Sequence, residues 1–309
     1  MPDYYPRNLQ GYAGKPPAIV WPENNRLAVS IVVNYEEGSE SCPLDGDDHS
    51  ESWLTDMPGM QASPHRHMSC ESLFSYGARI GAWRLLDIIK SFKVPASVFA
   101  CGLALERNPA LARAFHEAGW ELVGHGWRWL DYSKITEQDE LQHIHRTLEI
   151  IHSLTGQKAT GWYSGRKSSY TRGLLASAGI SWDSDAYDDE LPYYVPIDGH
   201  HHLVIPYTLV CNDCRYAMSP GWSSPEDAWL TMKATFDQLY RESEHSPRIM
   251  TLALHTRFSG HPGRADAVYR FLKYACSHDR VWFCQRGAIA SLWRSQITAP
   301  DSYALREAL

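Results

Sequence analysis

Short apolar runs alternate with amphipathic helical stretches along most of this 309-residue chain. The first run, Leu27 to Asn34, is rich in β-branched residues and has few charges, which is typical of a strand buried on both faces. Similar runs begin at Ala96, Glu121, Gly161, Ile180, Leu203, Ile249 and Val281. Repeated strand–helix units predict a parallel sheet, and this number of strands favours an α/β barrel.

The predicted domain boundary lies where this alternation begins. Residues 1–26 are rich in Pro, Gly and Asn and predict an extended N-terminal arm, whereas residues 27–309 predict a single barrel domain. One domain is enough for this length, since α/β barrels often exceed about 250 residues. The N-terminus has no signal-peptide pattern and the chain has no long apolar run, so we expect a cytoplasmic protein that does not contact membranes.

Charge and cysteine content argue against other classes of protein. The formal net charge is -7 and no basic stripe stands out, which disfavours nucleic-acid binding. Seven Cys in a chain of this size fit reduced thiols better than a disulfide framework. The Cys211–Cys214 pair lacks the second pair that a zinc site needs, and three adjacent histidines at 200–202 cannot easily wrap one ion.

Polar side chains follow the predicted strands at the ends where α/β barrels carry their active sites. They are Glu36 and Glu37 after the first strand, His125 after the third, Tyr163 and Arg166 after the fourth, Asp183 and Asp185 after the fifth, and His255 and Arg257 after the seventh. Because these strand ends meet at one mouth of a barrel, we expect the side chains to surround one small pocket. The alternatives are a solvated loop for the carboxylates, a core position for the histidines and a surface salt bridge for Arg166.

Paired carboxylates and a histidine indicate acid–base chemistry. Two close carboxylates raise the pKa of one of them, which suits Glu36 or Glu37 to act as a general base. Adjacent residues on an extended strand point to opposite faces, so only one of the pair faces the pocket if the strand continues. His255 ends an apolar strand and is expected to act as the general acid. The planar guanidinium groups of Arg166 and Arg257 suit a carbonyl or a carboxylate.

Six longer motifs follow one another along the chain. They are Asn34-Tyr-Glu-Glu-Gly38, Arg79-Ile-Gly-Ala-Trp-Arg-Leu-Leu86, Gly124-His-Gly-Trp-Arg-Trp129, Gly161-Trp-Tyr-Ser-Gly-Arg166, Asp183-Ser-Asp-Ala-Tyr-Asp-Asp189 and Val204-Ile-Pro-Tyr-Thr208. Together they resemble the polysaccharide deacetylase superfamily, and most of all its branch of purine-utilisation allantoinases and cyclic-imide hydrolases. The resemblance extends from Tyr5 to about Trp293. It implies a distorted (β/α) TIM-like barrel of the NodB-homology type, assembled as a homotetramer.

The resemblance also implies a set of metal ligands that this chain has only in part. Typical members carry two Asp in the first motif, one as base and one as ligand of a divalent metal, and two His in a later motif. Here Glu36 and Glu37 stand at the Asp positions, His125 matches the first His, and Trp129 stands where the second would be. Because an indole cannot coordinate a metal, we expect no cofactor, with zinc bound through Glu37 and His125 as the alternative.

Within this family, the expected reaction is hydrolysis of a non-peptide carbon–nitrogen bond, namely the ring opening of allantoin to allantoate. Glu36 or Glu37 takes a proton from water and His255 protonates the leaving nitrogen. Backbone N–H groups near Tyr163, together with Arg166, stabilise the oxyanion. The side chains expected to contact this small-molecule substrate are His125, Trp127, Trp129, Tyr163, Arg166, Asp185 and Arg257.

Two alternative functions stay open. An N-deacetylase of an acetylated sugar, chitin oligomer or peptidoglycan predicts an open groove and a bound metal, which the missing second His disfavours. A catalytically inactive binding protein on the same fold is disfavoured because the ionisable residues are all retained. Two departures from the branch, His261 in place of Arg and Ser75 in place of an acidic residue, are expected to alter specificity if they contact the substrate.

Overall fold

The computed structural model describes residues 8–57, 59–197 and 199–299. The start of the predicted arm, where the resemblance begins at Tyr5, and the end of the predicted domain lie outside the described residues. The described part of the arm lies against the barrel, where Ile19 and Trp21 are buried and the Trp21 ring lies 5.7 Å from that of Trp282.

Nine strands form one sheet in the described part of the chain. They are β1 (Leu27–Tyr35), β2 (Ala96–Ala100), β3 (Glu121–Gly124), β4 (Gly161–Trp162), β5 (Trp182–Asp183), β6 (Tyr193–Ile197), β7 (His200–Val204), β8 (Arg248–His255) and β9 (Val281–Phe283). Their order is β6-β7-β5-β4-β3-β2-β1-β8, and β9 pairs with the first part of β1. All pairs are parallel except β6 with β7. The sheet curls into a half-barrel, which confirms the predicted distorted barrel of parallel strands.

The strands alternate with helices over most of the described chain. The helices are α1 (Met68–Tyr76), α2 (Ala82–Ser91), α3 (Gly102–Arg107), α4 (Pro109–Glu117), α5 (Glu137–Thr155), α6 (Thr171–Ser177), α7 (Pro225–Glu242), α8 (Pro262–Ala275) and α9 (Arg286–Gln296). A single π-helical turn, Gly77–Gly81, joins α1 to α2. The helix α4 is capped at its start, since Asn108 Oδ1 accepts the backbone N–H of Leu111 at 3.3 Å. Among the described helices, none is long and apolar enough to cross a membrane.

The side chains of β1 separate two apolar layers, because successive residues of a strand point to opposite faces. Leu27, Ile31 and Tyr35 pack in the cluster that includes residues of α2, α4, α7 and α8. Ala28 and Val32 pack in the other cluster, inside the curl of the sheet. Every residue of β1 is buried, as expected for a strand that is covered on both faces.

Arg286 closes the interior of the barrel. Its side chain is fully buried and donates to Ser184 Oγ at 3.0 Å, to Thr251 Oγ1 at 3.1 Å and to the carbonyl oxygen of Ile205 at 2.7 Å. These acceptors lie on three different parts of the sheet, so one guanidinium joins them. Burial lowers the pKa of Arg286 to about 10, which still leaves the group charged at neutral pH.

Two parts of the fold differ from the sequence prediction. The run predicted as a strand from Ile180 pairs only over the two residues of β5, and the run predicted from Leu203 forms only the end of β7, which begins at His200. The hairpin of β6 and β7 has no counterpart among the predicted runs, because an edge pair needs apolar residues on one face only.

Gly81 allows the π-helical turn to approach the loop that follows β8. A Cβ at Gly81 would overlap the carbonyl oxygen of Thr256, and a Cβ at Gly260 would overlap the backbone of Gly81. Because Thr256 lies between His255 and Arg257, this close backbone contact fixes the end of β8.

The substitution Gly81→Ala is expected to lower the free energy of unfolding by about 1–3 kcal/mol, because the added methyl group meets backbone that cannot move aside. The matched control is Gly263→Ala on α8, where the new Cβ would lie 3.9 Å from Pro225 Cγ and a helix prefers Ala to Gly. Urea denaturation measures both variants. Equal stabilities of the two would contradict the assigned close contact.

Candidate active site

Strand alternation brings three predicted site residues to one mouth of the barrel. They are Glu36, His125 and His255. Each lies two residues after a side chain that faces the interior of the barrel, namely Asn34, Val123 and Ala253. Since the period of a strand is two residues, each of the three faces inward as well. The strands β1, β3 and β8 run in the same direction, so these side chains meet at their carboxyl ends.

Glu36 is a buried carboxylate surrounded by nitrogen donors. Its Oε1 lies 3.0 Å from His125 Nε2 and 3.5 Å from His255 Nε2, while Oε2 accepts a hydrogen bond from Arg257 Nη1 at 2.6 Å. Burial acts to raise the pKa of Glu36, but the charges of Arg257 and His255 and the hydrogen bond from His125 hold that pKa well below its usual range. The carboxylate is therefore ionised at neutral pH.

Arg257 was predicted to bind the substrate, and the structure instead places it against the protein's own carboxylates. Besides its bond to Glu36, its Nε donates to the carbonyl oxygen of Leu54 at 3.2 Å, and its backbone N–H donates to Glu37 Oε1 at 3.1 Å. The residue is 2% exposed and is absent from the described lining of the pocket. Arg257 thus positions Glu36 rather than a ligand.

His255 is paired with Asp213, which the sequence analysis did not identify. His255 Nδ1 lies 2.6 Å from Asp213 Oδ1, and the His255 backbone N–H donates to Asp213 Oδ2 at 2.7 Å. Burial acts to lower the pKa of His255, but the negative charges of Glu36 and Asp213 outweigh burial and raise it to about 9. His255 is therefore protonated at neutral pH, with Nε2 directed towards Glu36.

Asp213 reaches His255 because the segment around it runs beside β8. Asn212 bridges to Ala253 in parallel fashion, and Cys211 accepts the Ala253 backbone N–H at 2.9 Å. The signal in the sequence was the position of Asp213 inside the Cys211–Cys214 pair, where a carboxylate stands between two thiols that form no zinc site. Burial raises the pKa of Cys214 to about 12, so that thiol stays protonated.

A pocket of about 190 Å³ opens above these groups. It is lined by Glu36, Trp53, Leu54, His125, Trp129, Tyr163, Ser164, Gly165, Arg166, Tyr187, Leu209, Asn212, Cys214, Met218 and His255. The predicted site residues Glu36, His125, Trp129, Tyr163, Arg166 and His255 are thus brought together. The rest of the lining comes from loops whose positions the strand pattern does not predict.

Aromatic rings and one cation form the pocket wall. The rings of Trp53 and Trp129 stack with centroids 5.6 Å apart, and the guanidinium carbon of Arg166 lies 4.8 Å from each centroid. Arg166 Nη2 donates to the carbonyl oxygen of Trp129 at 3.3 Å. No carboxylate of the described residues forms an ion pair with Arg166, so its positive charge is available to a ligand.

His125 and Tyr163 form the adjoining part of the wall. His125 Nδ1 lies 2.7 Å from the backbone carbonyl oxygen of Tyr163, which fixes the orientation of the imidazole. The Tyr163 ring packs 5.0 Å from that of His125, and its hydroxyl lies 2.8 Å from the Tyr187 hydroxyl.

Glu37 does not face this pocket, contrary to its prediction as a candidate base there. By the alternation of β1 it faces the outside of the barrel, as Tyr35 does. It lines a separate cavity of about 390 Å³. Its oxygens accept the backbone N–H groups of Glu36 and Arg257, both at 3.1 Å. Burial raises the pKa of Glu37. A Cβ at Gly77 would overlap the Glu37 carboxylate, so this glycine makes room for it.

Trp127 and Asp185 were predicted to contact the substrate, and both lie outside the described pocket lining. Trp127 packs against Gly102, and the guanidinium carbon of Arg146 lies 3.8 Å from its ring centroid. Asp185 accepts the backbone N–H groups of Ser164 and Gly165. It therefore holds the loop that carries Tyr163 and Arg166.

The same contacts change the expected oxyanion site. The N–H groups of Ser164 and Gly165 donate to the Asp185 carboxylate. The N–H of Tyr163 donates to the carbonyl oxygen of Gly124 at 2.9 Å. These groups were expected to stabilise the oxyanion, but each N–H already donates to an acceptor within the protein. Arg166 and the protonated His255 are the positive groups that face the pocket.

The two departures from the family branch also lie away from the described pocket. Ser75 Oγ donates to the carbonyl oxygen of Glu71 at 2.8 Å and lines the same separate cavity as Glu37. His261 stacks on Tyr76, with ring centroids 4.1 Å apart and planes inclined by 5°. Direct contact of either residue with a ligand in this pocket is therefore not supported.

The described residues contain no group of three or more His, Cys, Asp or Glu side chains arranged to hold a metal ion. Glu37 and His125, the alternative zinc ligands, face different neighbours, since Glu37 binds backbone N–H groups and His125 Nε2 lies against Glu36. The residues present therefore do not fit that ligand pair. The expected absence of a cofactor stays a prediction.

A family model and a similar protein indicate the same family. A family model described as polysaccharide deacetylase matches residues 69–181. A "putative polysaccharide deacetylase" of Schizosaccharomyces pombe is 38% identical, over 95% of this chain and 98% of that protein.

Two solved structures match the fold over almost the whole chain. A "probable polysaccharide deacetylase" from Pseudomonas aeruginosa is 44% identical with a TM-score of 0.92, over 94% of this chain and 99% of that one. PuuE allantoinase is 42% identical with a TM-score of 0.93, over 96% of this chain and 100% of that one. This chain therefore belongs to the polysaccharide deacetylase family and is a hydrolase of carbon–nitrogen bonds.

Proposed function

We propose that this protein opens the ring of a small cyclic amide by hydrolysis, with allantoin to allantoate as the first reaction to test. One observation carries the proposal: the ionised Glu36 and the Asp213-paired His255 lie 3.5 Å apart at the floor of a small aromatic pocket. The similarity to PuuE allantoinase, at 42% identity, supports a cyclic substrate.

The size of the pocket favours a small ring over a polymer. Its volume is about 190 Å³, and protein cavities of about 150 Å³ hold a benzene molecule. The stacked rings of Trp53 and Trp129 and the ring of Tyr163 provide flat apolar walls. A planar five-membered cyclic amide fits such walls, because its faces are apolar and its edge carries the polar atoms.

The first step is attack of water on a ring carbonyl carbon. Glu36 takes one proton from the water, and the hydroxide oxygen forms a bond to the carbon. The carbonyl oxygen becomes an oxyanion, which Arg166 stabilises because its guanidinium has no carboxylate partner among the described residues.

The second step breaks the carbon–nitrogen bond. The oxyanion re-forms the carbon–oxygen double bond as the electron pair of the carbon–nitrogen bond leaves with the ring nitrogen, which takes the proton of His255 Nε2. Glu36 then returns its proton to His255, which lies 3.5 Å away, so both groups are reset. The product carries a new carboxyl group at one end of the opened ring and an N–H at the other.

N-deacetylation of an acetylated sugar is the second candidate function. It is favoured by the names of two similar proteins, which describe polysaccharide deacetylases. The same base and acid would cleave an acetyl amide with release of acetate. The two functions differ in the substrate that the pocket admits, so one assay panel separates them.

The purified protein is expected to release a carboxylate from allantoin, hydantoin or succinimide, and no acetate from acetylated chito-oligosaccharides. The variant Glu36→Gln removes the proton acceptor and should lower kcat/KM about 10²- to 10⁴-fold. The control variant is Glu244→Gln, a surface carboxylate paired with Arg26, which should leave the rate unchanged. Acetate release without ring opening would support the deacetylase instead.

The pH dependence should follow His255. Because the pKa of His255 is raised to about 9, the acid is present below that pH and is lost as pH rises through it. We therefore expect kcat/KM to be level near neutrality and to fall above about pH 9. The variant Asp213→Asn removes one of the negative charges that raise this pKa, so the fall should begin at lower pH. An unchanged profile in that variant would contradict the role given to Asp213.

The proposed steps need no divalent metal, because Glu36 supplies the base and His255 the acid. Dialysis of the protein against EDTA is accordingly expected to leave kcat/KM for the cyclic amide unchanged, with metal content measured on the same sample. A loss of activity that zinc restores would contradict this expectation.

A further inference from the structure

Four large side chains form a rim around the mouth of the pocket. Trp53 and Tyr187 are each 47% exposed, and Leu209 and Met218 are each 40% exposed, although all four line the pocket. They come from three separate loops, after β1, after β5 and after β7. Clustered exposure of large apolar side chains is unusual on a protein surface and indicates a binding surface.

Polarity changes sharply between the floor and the rim. At the floor, Glu36 and His125 are 1% exposed and His255 is 4% exposed, and all three line the pocket. Among the residues that line the pocket, the four exposed ones are all apolar or aromatic. A ligand that fills the pocket therefore presents its polar ring edge to the floor and any ring substituent to the rim.

Apart from Arg166, which the proposed mechanism assigns to the oxyanion, the polar side chains beside the rim are already engaged within the protein. Asn212 Oδ1 accepts the backbone N–H of Cys214 at 3.0 Å, and its Nδ2 donates to the carbonyl oxygen of Thr208 at 3.2 Å. The hydroxyls of Tyr187 and Tyr163 bond to each other at 2.8 Å. A polar substituent would thus exchange its bonds to water for few bonds to the protein, which costs free energy.

We infer that this rim, formed by Trp53, Tyr187, Leu209 and Met218, selects cyclic amides that carry an apolar substituent on the ring. The inference rests on the proposed ring-opening function and names the substrate class within it. An apolar group at the rim loses contact with water at no cost in hydrogen bonds, so it favours binding and catalysis alike.

Two isosteric substrates test this directly. Allantoin is hydantoin with a ureido group at carbon 5, and 5-isobutylhydantoin carries in its place an apolar group with the same branching and the same number of non-hydrogen atoms. We expect kcat/KM to be at least about tenfold higher for 5-isobutylhydantoin than for allantoin, since contacts of this kind discriminate by about 10- to 200-fold.

Two neighbouring residues give a matched pair of variants. Leu209→Ser places a hydroxyl on the rim and should reduce the preference for 5-isobutylhydantoin about tenfold. Val210→Ser changes the adjacent side chain, which is 58% exposed and outside the described pocket lining, and should leave the preference unchanged.

The outcomes separate the two proposals. Ring opening with preference for allantoin, or a preference that Leu209→Ser does not reduce, would overturn the rim selection and leave the ring-opening function standing. Hydrolysis of neither hydantoin would overturn the proposed function, and the inference with it. Preference for 5-isobutylhydantoin that falls in Leu209→Ser alone supports both.

Discussion

The charge of Glu36 is the constraint on which the rest of the site depends. A carboxylate that is 1% exposed needs compensation, and Arg257, His125 and His255 supply it from β8 and β3. Removing one partner of a buried charge pair costs about 3–5 kcal/mol, because the remaining charge is left without compensation. The contacts that stabilise the buried Glu36 carboxylate therefore also fix the geometry of the base, the acid and the pocket floor.

Much of this arrangement follows from sequence through the two-residue period of a strand. The alternation of β1 predicts that only one of Glu36 and Glu37 faces inward. When the alternation is continued beyond the end of the strand, the inward-facing residue is Glu36. The parallel strands likewise explain why His125 and His255 meet it at one mouth of the barrel. Fold and central acid–base groups were predictable because they depend on a local and regular pattern.

The rest depends on loops and on contacts between distant segments. Asp213 reaches His255 only because its segment pairs beside β8, which no local pattern predicts. Trp127 and Asp185 carry the right chemistry at strand ends, yet turns after those strands direct them to structural contacts. The rim arises from three loops of irregular backbone, so its residues share no spacing in the sequence that could have identified them.

The central claim is that Glu36 and His255 act together in one hydrolytic step. The most direct measurement is a double-mutant cycle of Glu36→Gln and His255→Gln, with kcat/KM for a cyclic amide as the readout. If the two groups act as a unit, the double variant loses about as much activity as the more impaired single variant. If instead the two losses multiply, the groups act independently. That result would contradict the claim that Glu36 and His255 act together in one step.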